Sequence, residues 1–160
     1  MSDSTELTVR AVMRREVPLA APDTSIAELA RLMVEHRVPG VPVIDDGELA
    51  GIVTEADLIQ REANVDTPST FAFLDAIIEV DAGAPFDEEL RRVLATSAEQ
   101  LMTSPVISIR DIATVSELAT LMLQHRINPI PVVDEHNQIV GLATRTGIVE
   151  LIARLESASS

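Results

Sequence analysis

The sequence predicts an α+β fold made of two β-α-β-β-α repeats related by a pseudo-twofold axis, with a helical insertion between them. Three observations carry that prediction. The chain repeats itself at a shift of 89 residues. Both copies open a helix with the same capping spacing and stop it ahead of a proline. In both, the helix is followed by short β-branched runs separated by turn residues.

At the 89-residue shift, Glu28-Leu29-Ala30 falls on Glu117-Leu118-Ala119, Leu32-Met33 on Leu121-Met122, and His36-Arg37 on His125-Arg126. Pro42-Val43 falls on Pro131-Val132, and Asp45 on Asp134. Past the turn the shift is 90, with Gly51 on Gly141 and Thr54 on Thr144, so the second turn carries one extra residue.

Ser25 with Glu28, and Thr114 with Glu117, have the spacing that lets a side-chain oxygen and a carboxylate satisfy the first free helix amides. Ile26, Leu29, Ala30 and Met33 then recur at helical period, mirrored by Val115, Leu118, Ala119 and Met122. Pro39 and Pro129 lack an amide donor and bias the residue before them out of the helix, so both helices end near Arg37 and Arg126. Residues 41–44 and 130–133 are bulky and β-branched, as buried strands are. Residues 45–47 and 134–137 carry turn chemistry, and residues 49–53 and 139–143 return as hairpin partners. A last helix starts at Thr54 or Thr144. Neither copy covers its apolar sheet face alone, so the copies are expected to pack on each other.

These elements give motifs at 8–62 and 97–153 with an insertion at 63–96. Within the insertion, residues 68–80 and 86–94 read as helices, the first with Phe71, Leu74 and Ile78 along one face. All three phenylalanines, Phe71, Phe73 and Phe86, lie there. They suit a core cap or a dimer contact better than a cofactor-stacking box. Residues 1–6 and 156–160 are small, polar and unpatterned and are expected to be loose.

Composition narrows the function classes. A net charge of −14 argues against nucleic acid, whose affinity depends on cations displacing counterions, and against anionic membrane surfaces. No apolar run approaches the roughly 18–20 residues of a membrane span. Asp3 and Glu6 stand where a secretory signal would be basic, so a cytoplasmic location is expected. With no cysteine, disulfides, thiolate zinc sites and cysteine nucleophiles are excluded. Of the three histidines, His36 and His125 are repeat-equivalent helix ends and His136 lies in a turn. No metal-ligand spacing or nucleophile–base pair is present, so no catalysis and no metal are expected.

The repeated signature is a helix ending in His-Arg, then Val41-Pro42-Val43-Ile44-Asp45, a turn, and Gly51-Ile52-Val53-Thr54-Glu55-Ala56-Asp57. The second copy has Ile130-Pro131-Val132-Val133-Asp134 and Gly141-Leu142-Ala143-Thr144-Arg145-Thr146-Gly147. This closely resembles the CBS (cystathionine-β-synthase) motif family, in its stand-alone tandem form. The resemblance implies a regulatory module with two clefts between the copies, associated into a disc-like homodimer and signalling to a separate protein. In relatives such clefts hold adenine nucleotides or S-adenosylmethionine as regulatory ligands, with no cofactor required. The alternative is a dimerisation or partner-docking module whose clefts stay empty.

The resemblance also assigns residues. The family's ribose contact is the Thr-x-x-Asp that opens the last helix, here Thr54 and Asp57; the same spacing is equally that of a helix cap, and the two roles are compatible. The first cleft would be completed by Val106, Ile107, Ile127, Asn128 and Pro129. The second would combine Thr144, Arg145 and Thr146 with Val17, Pro18, Val38, Pro39 and Gly40. Gly147 stands where the second aspartate would be, so that cleft loses its diol acceptor and the Asp57 cleft is expected to be the better nucleoside site. Kinase-type relatives carry basic residues just before the Pro-Val strand, whereas this chain has Pro39-Gly40 and Asn128-Pro129. The nearest cations, Arg37, Arg126 and Arg145, suit salt bridges on an acidic surface, which favours a phosphate-poor ligand.

Overall fold

The computed structural model describes residues 6–63 and 97–158. The helices expected at 68–80 and 86–94, with their three phenylalanines, lie outside the described residues. The elements run α1 (Ile26–His36), β1 (Gly40–Asp45), β2 (Glu48–Thr54) and α2 (Glu55–Ala63) in the first copy. They continue with α3 (Ala98–Leu101), β3 (Ile109–Arg110), α4 (Val115–His125), β4 (Ile130–Val133), β5 (Ile139–Ala143) and α5 (Arg145–Ala158). Helix α5 thus takes in residues 156–158, which composition alone suggested were loose.

Both long helices start as their caps dictate. Ser25 Oγ accepts the Glu28 amide at 3.2 Å and Thr114 Oγ1 the Glu117 amide at 3.0 Å, while the Glu117 carboxylate accepts the Thr114 amide at 2.8 Å. Both end on an arginine in the left-handed region, Arg37 and Arg126 at φ 53°. Leu29 and Met33, and their counterparts Leu118 and Met122, are buried.

The hairpins β1–β2 and β4–β5 are antiparallel and carry an irregularity at the same place, between Val43 and Ile44 and between Val132 and Val133. The first turn needs positive φ at two successive residues, supplied by Asp46 (51°) and Gly47 (80°). The longer second turn needs it at Asn137 (61°).

The opening strand of the first copy shrinks to one bridge, Ala20 to Val43, whereas the second copy forms β3, parallel to β4. Prolines explain the difference. Ala20 donates to the Pro42 carbonyl at 2.9 Å and accepts from the Ile44 amide at 2.8 Å. The next donor would be Pro22, which has no amide proton. Asp111 stands at the equivalent place in the second copy and donates to Val133 at 3.0 Å, so the ladder continues.

The two copies exchange their leading segments. Val9 donates to Ala113 and Ala98 to Thr24, each at 2.8 Å, so the lead-in of each copy pairs with the other copy's strand-to-helix turn. Arg14 and Leu142 exchange both backbone hydrogen bonds, and so do Thr103 and Ile52. Two cores result. One contains Ala20, Leu29, Met33, Val41, Val43 and Val53 together with Ala98; the other contains Ile109, Leu118, Met122, Ile130, Val132 and Leu151 together with Val9 and Val12. The exchange sits over two glycines. A Cβ at Gly51 would lie 2.5 Å from Met102 Sδ, and one at Gly141 would lie 2.7 Å from Met13 Sδ.

Candidate functional site: two clefts between the copies

The seven residues expected around the first cleft all border a single cavity of about 270 Å³. Ile52 and Thr54 come from β2, Ala56 and Asp57 from the start of α2, Val106 and Ile107 from the segment leading into β3, and Ile127, Asn128 and Pro129 from the loop after α4. Thr103, Pro105 and Arg126 complete it. Sequence reasoning did not place Thr103, Pro105, Ile52 or Ala56 in the cleft, and it read Arg126 as a surface salt-bridge cation. Arg126 was accessible through its repeat position, next to Ile127 and matched by Arg37.

Thr54 and Asp57 form a reciprocal helix cap. Asp57 Oδ2 accepts the Thr54 amide at 2.8 Å and the Thr54 hydroxyl at 3.1 Å, and the Asp57 amide reaches Thr54 Oγ1 at 3.3 Å. Both residues are half-buried. All of this falls on one carboxylate oxygen. Oδ1 makes no hydrogen bond among the described residues, so it retains the acceptor capacity that a hydroxyl-bearing ligand needs. The walls supplied by Val106, Ile107, Ile127 and Pro129 are apolar, as the faces of a ring-binding slot are.

The second cavity is larger, about 520 Å³, and its lining departs from expectation. Pro39, Thr144 and Thr146 border it, but Val17, Pro18, Val38, Gly40 and Arg145 do not. Val38 is buried in the protein core. Gly40 lies against the other copy, where a Cβ would come 2.8 Å from the Pro129 ring. The Arg145 amide opens α5 by donating to Asn128 Oδ1 at 3.0 Å, and its side chain is exposed outside the cavity. Val17 and Pro18 do not border it, although their repeat equivalents Val106 and Ile107 border the smaller cavity; residues 11–14, held on β5 through Arg14 and Leu142, line it instead. Arg37, Gly147, Glu150 and Arg154 complete the lining.

Gly147 is where the two clefts diverge. A Cβ on it would lie 2.5 Å from the Val12 carbonyl oxygen, so the exchanged segment fills the space an aspartate would occupy. The Gly147 amide caps onto Thr144 Oγ1 at 3.0 Å.

The cations also sit differently from expectation. Arg37, Arg126 and Arg145 form no ion pair among the described residues. The left-handed caps leave Arg37 beside the larger cavity and Arg126 beside the smaller one. Ion pairs form elsewhere, between Arg10 and Asp111 at 2.6 Å and between Arg31 and both Glu28 and Glu35. Asp111 is 7% exposed, and the Arg10 guanidinium holds its carboxyl below the usual aspartate value.

No helix among the described residues is long and apolar enough to cross a membrane. The CBS domain model matches residues 9–64 and 98–154. An uncharacterized protein of Methanocaldococcus jannaschii is 26% identical over 152 residues, with 90% of each chain covered. The chloroplastic CBS domain-containing protein CBSX2 of Arabidopsis thaliana is 28% identical over 150 residues, covering 89% of this chain and 61% of that one. The crystal structure of CBSX2 in complex with AMP matches with a TM-score of 0.68 at 25% identity, covering 94% of this chain and 98% of that one. The CBS domain pair of protein MJ0100, solved with 5′-methylthioadenosine and S-adenosyl-L-methionine, shares the fold at 23% identity and a TM-score of 0.65, covering 92% and 97%. With the family model matching both copies, and the fold found again in these pairs, the chain belongs to the CBS domain family.

Proposed function

We propose that the chain is a non-catalytic regulatory module that binds an adenosine-bearing ligand in the Asp57 cavity and passes the signal to a separate protein. The carrying observation is the half-used carboxylate of Asp57: Oδ2 is tied into the cap of α2, Oδ1 makes no hydrogen bond among the described residues, and Asp57 borders a slot with apolar walls. A cis-diol supplies two donors to such an oxygen, and hydrogen bonds to a charged acceptor are worth about 1.5–3 kcal/mol each. The slot between Val106, Ile107, Ile127 and Pro129 suits the flat base. AMP in the CBSX2 structure supports the ligand class; AMP, ADP, ATP and S-adenosylmethionine are the candidates.

Thermal melts with those four compounds and NAD test this reading. A ligand present at about 100 times its Kd adds about 2.7 kcal/mol to the folded state, a rise of roughly 5–10 °C for a domain of this size. Flat melts across the panel would contradict it.

A second reading, a dimerisation or docking module with empty clefts, draws on the outer helix faces. Val34 and its repeat equivalent Leu123 are 77% and 79% exposed, and Ile59 and its equivalent Val149 are 66% and 62% exposed. Large apolar side chains left open at matched positions of the two copies suit a self-association surface. A homodimer covering them is compatible with both readings, so the melts decide between the two.

A further inference from the structure

Thr54 and Thr144 are repeat equivalents that cap their helices alike yet end with different polar needs. The Thr54 hydroxyl donates to Asp57 Oδ2 at 3.1 Å. Thr144 Oγ1 accepts the Gly147 amide at 3.0 Å, but its own proton meets no acceptor among the described residues, although Thr144 is only 4% exposed. Buried polar groups are normally paired. The unmet donor belongs to a residue that borders the larger cavity, beside the place where the other copy has its carboxylate.

The rest of that cavity is also rich in donors. Arg14, Arg37 and Arg154 reach it from three separate stretches of chain. Arg14 donates to the Arg37 carbonyl at 2.7 Å and Arg154 to the Ala11 carbonyl at 3.3 Å. Each guanidinium has five donors, so most remain. The Arg37 side chain makes no hydrogen bond or ion pair among the described residues. Against three cations stands one carboxylate, Glu150. In a chain with a net charge of −14, this lining carries a local excess of positive charge.

We propose that the larger cavity is an anion site for a multiply charged phosphate chain, and that it has no requirement for ribose. This goes beyond the Asp57 reading and stands or falls separately from it. Guanidinium groups match phosphate oxygens in pairs, and the Thr144 hydroxyl adds a neutral donor. No side chain at position 147 accepts from a diol, because the Val12 carbonyl occupies that space.

Isothermal titration of the full chain with tripolyphosphate tests the proposal. Binding should be weakened about tenfold or more by Arg37→Asn and by Arg154→Gln, and should decline as sodium chloride is raised. Asparagine tolerates the left-handed backbone at position 37, so that variant keeps the helix end. Arg31→Gln, which removes the same charge from a remote ion pair, should leave binding unchanged. Parallel titrations with ATP and 2′,3′-dideoxy-ATP distinguish the source of the phosphate chain. If both bind more tightly than tripolyphosphate with the same dependence on Arg37, the chain is a nucleotide tail; if tripolyphosphate binds as tightly, it is a free polyphosphate. Absence of tripolyphosphate binding, or a loss that follows Arg31→Gln or Arg126→Asn rather than Arg37→Asn, would overturn the site. An adenosine response seen or missing in the same variants bears only on the Asp57 cavity.

Discussion

Gly147 lies under the carbonyl of Val12, and a Cβ there would sit 2.5 Å from that oxygen. The two residues belong to different ends of the chain, brought together because the segment ahead of the first copy docks on the second. The contact makes the two clefts unequal: one repeat keeps an aspartate at this position and the other has no room for any side chain.

Gly147→Asp is therefore expected to destabilise the protein rather than restore a second nucleoside site. Overpacking against backbone costs about 1–3 kcal/mol, a fall of several degrees in Tm that a thermal melt will read. A variant of undiminished stability would show that residues 11–14 can move aside.

Gly51 and Gly141 are equivalent, but substitution should not be equally tolerated. At Gly51 the three atoms nearest a new methyl all belong to the Met102 side chain, and the closest, Sδ at 2.5 Å, is at its flexible end. At Gly141 it meets the Met13 side chain and also the Arg14 carbonyl, at 2.8 Å. Urea denaturation should place Gly141→Ala below Gly51→Ala by about 1 kcal/mol or more.

The Arg10–Asp111 pair fastens the exchanged segment and gives it a pH dependence. The Asp111 pKa is lowered in the folded protein, so its contribution is present above the ordinary carboxylate range and is lost as pH falls through the folded value. Wild type should lose Tm between about pH 5 and about pH 2, and Arg10→Gln should show a shallower loss over that window. Parallel curves for the two proteins would remove Asp111 from the account.

Asp57 carries a stability role beside its proposed ligand role, because Oδ2 holds the Thr54 amide. Asp57→Ala should cost about 0.5–2 kcal/mol through the lost cap, whereas Asp57→Asn, which retains one acceptor oxygen, should cost less. Melts without ligand separate this effect from binding.

Much of the fold was legible because its determinants are local. Capping pairs, terminating prolines and turn residues act within a few positions of themselves, so Ser25, Thr114, Pro39, Pro129 and Gly47 announce the elements they shape. The walls around Asp57 could be placed because they follow from the family's repeat geometry. What stayed hidden is non-local. The loss of the first strand depends on Pro22 meeting a carbonyl of β1, a pairing that no window of sequence contains. The exchange of segments brings Arg14 to the larger cavity, and Val17 and Pro18 lie outside it although their equivalents Val106 and Ile107 border the smaller one. A signal was present in the matched pairs Met13 with Met102 and Gly51 with Gly141, since a side chain pressed on a glycine in each copy marks where chain crosses chain. Two of the three arginines read as surface charges, Arg37 and Arg126, border the cavities from left-handed helix caps, a backbone choice that sequence spacing does not reveal, while Arg145 is exposed as expected.

Calorimetric titration of wild type and Asp57→Asn with adenosine and with 2′,3′-dideoxyadenosine reads the sugar contact of Asp57 directly. Wild type should prefer adenosine by about tenfold or more, and the substitution should erase the preference while leaving the unliganded fold intact. Equal affinity of wild type for the two nucleosides, or an undiminished preference in Asp57→Asn, would contradict that contact.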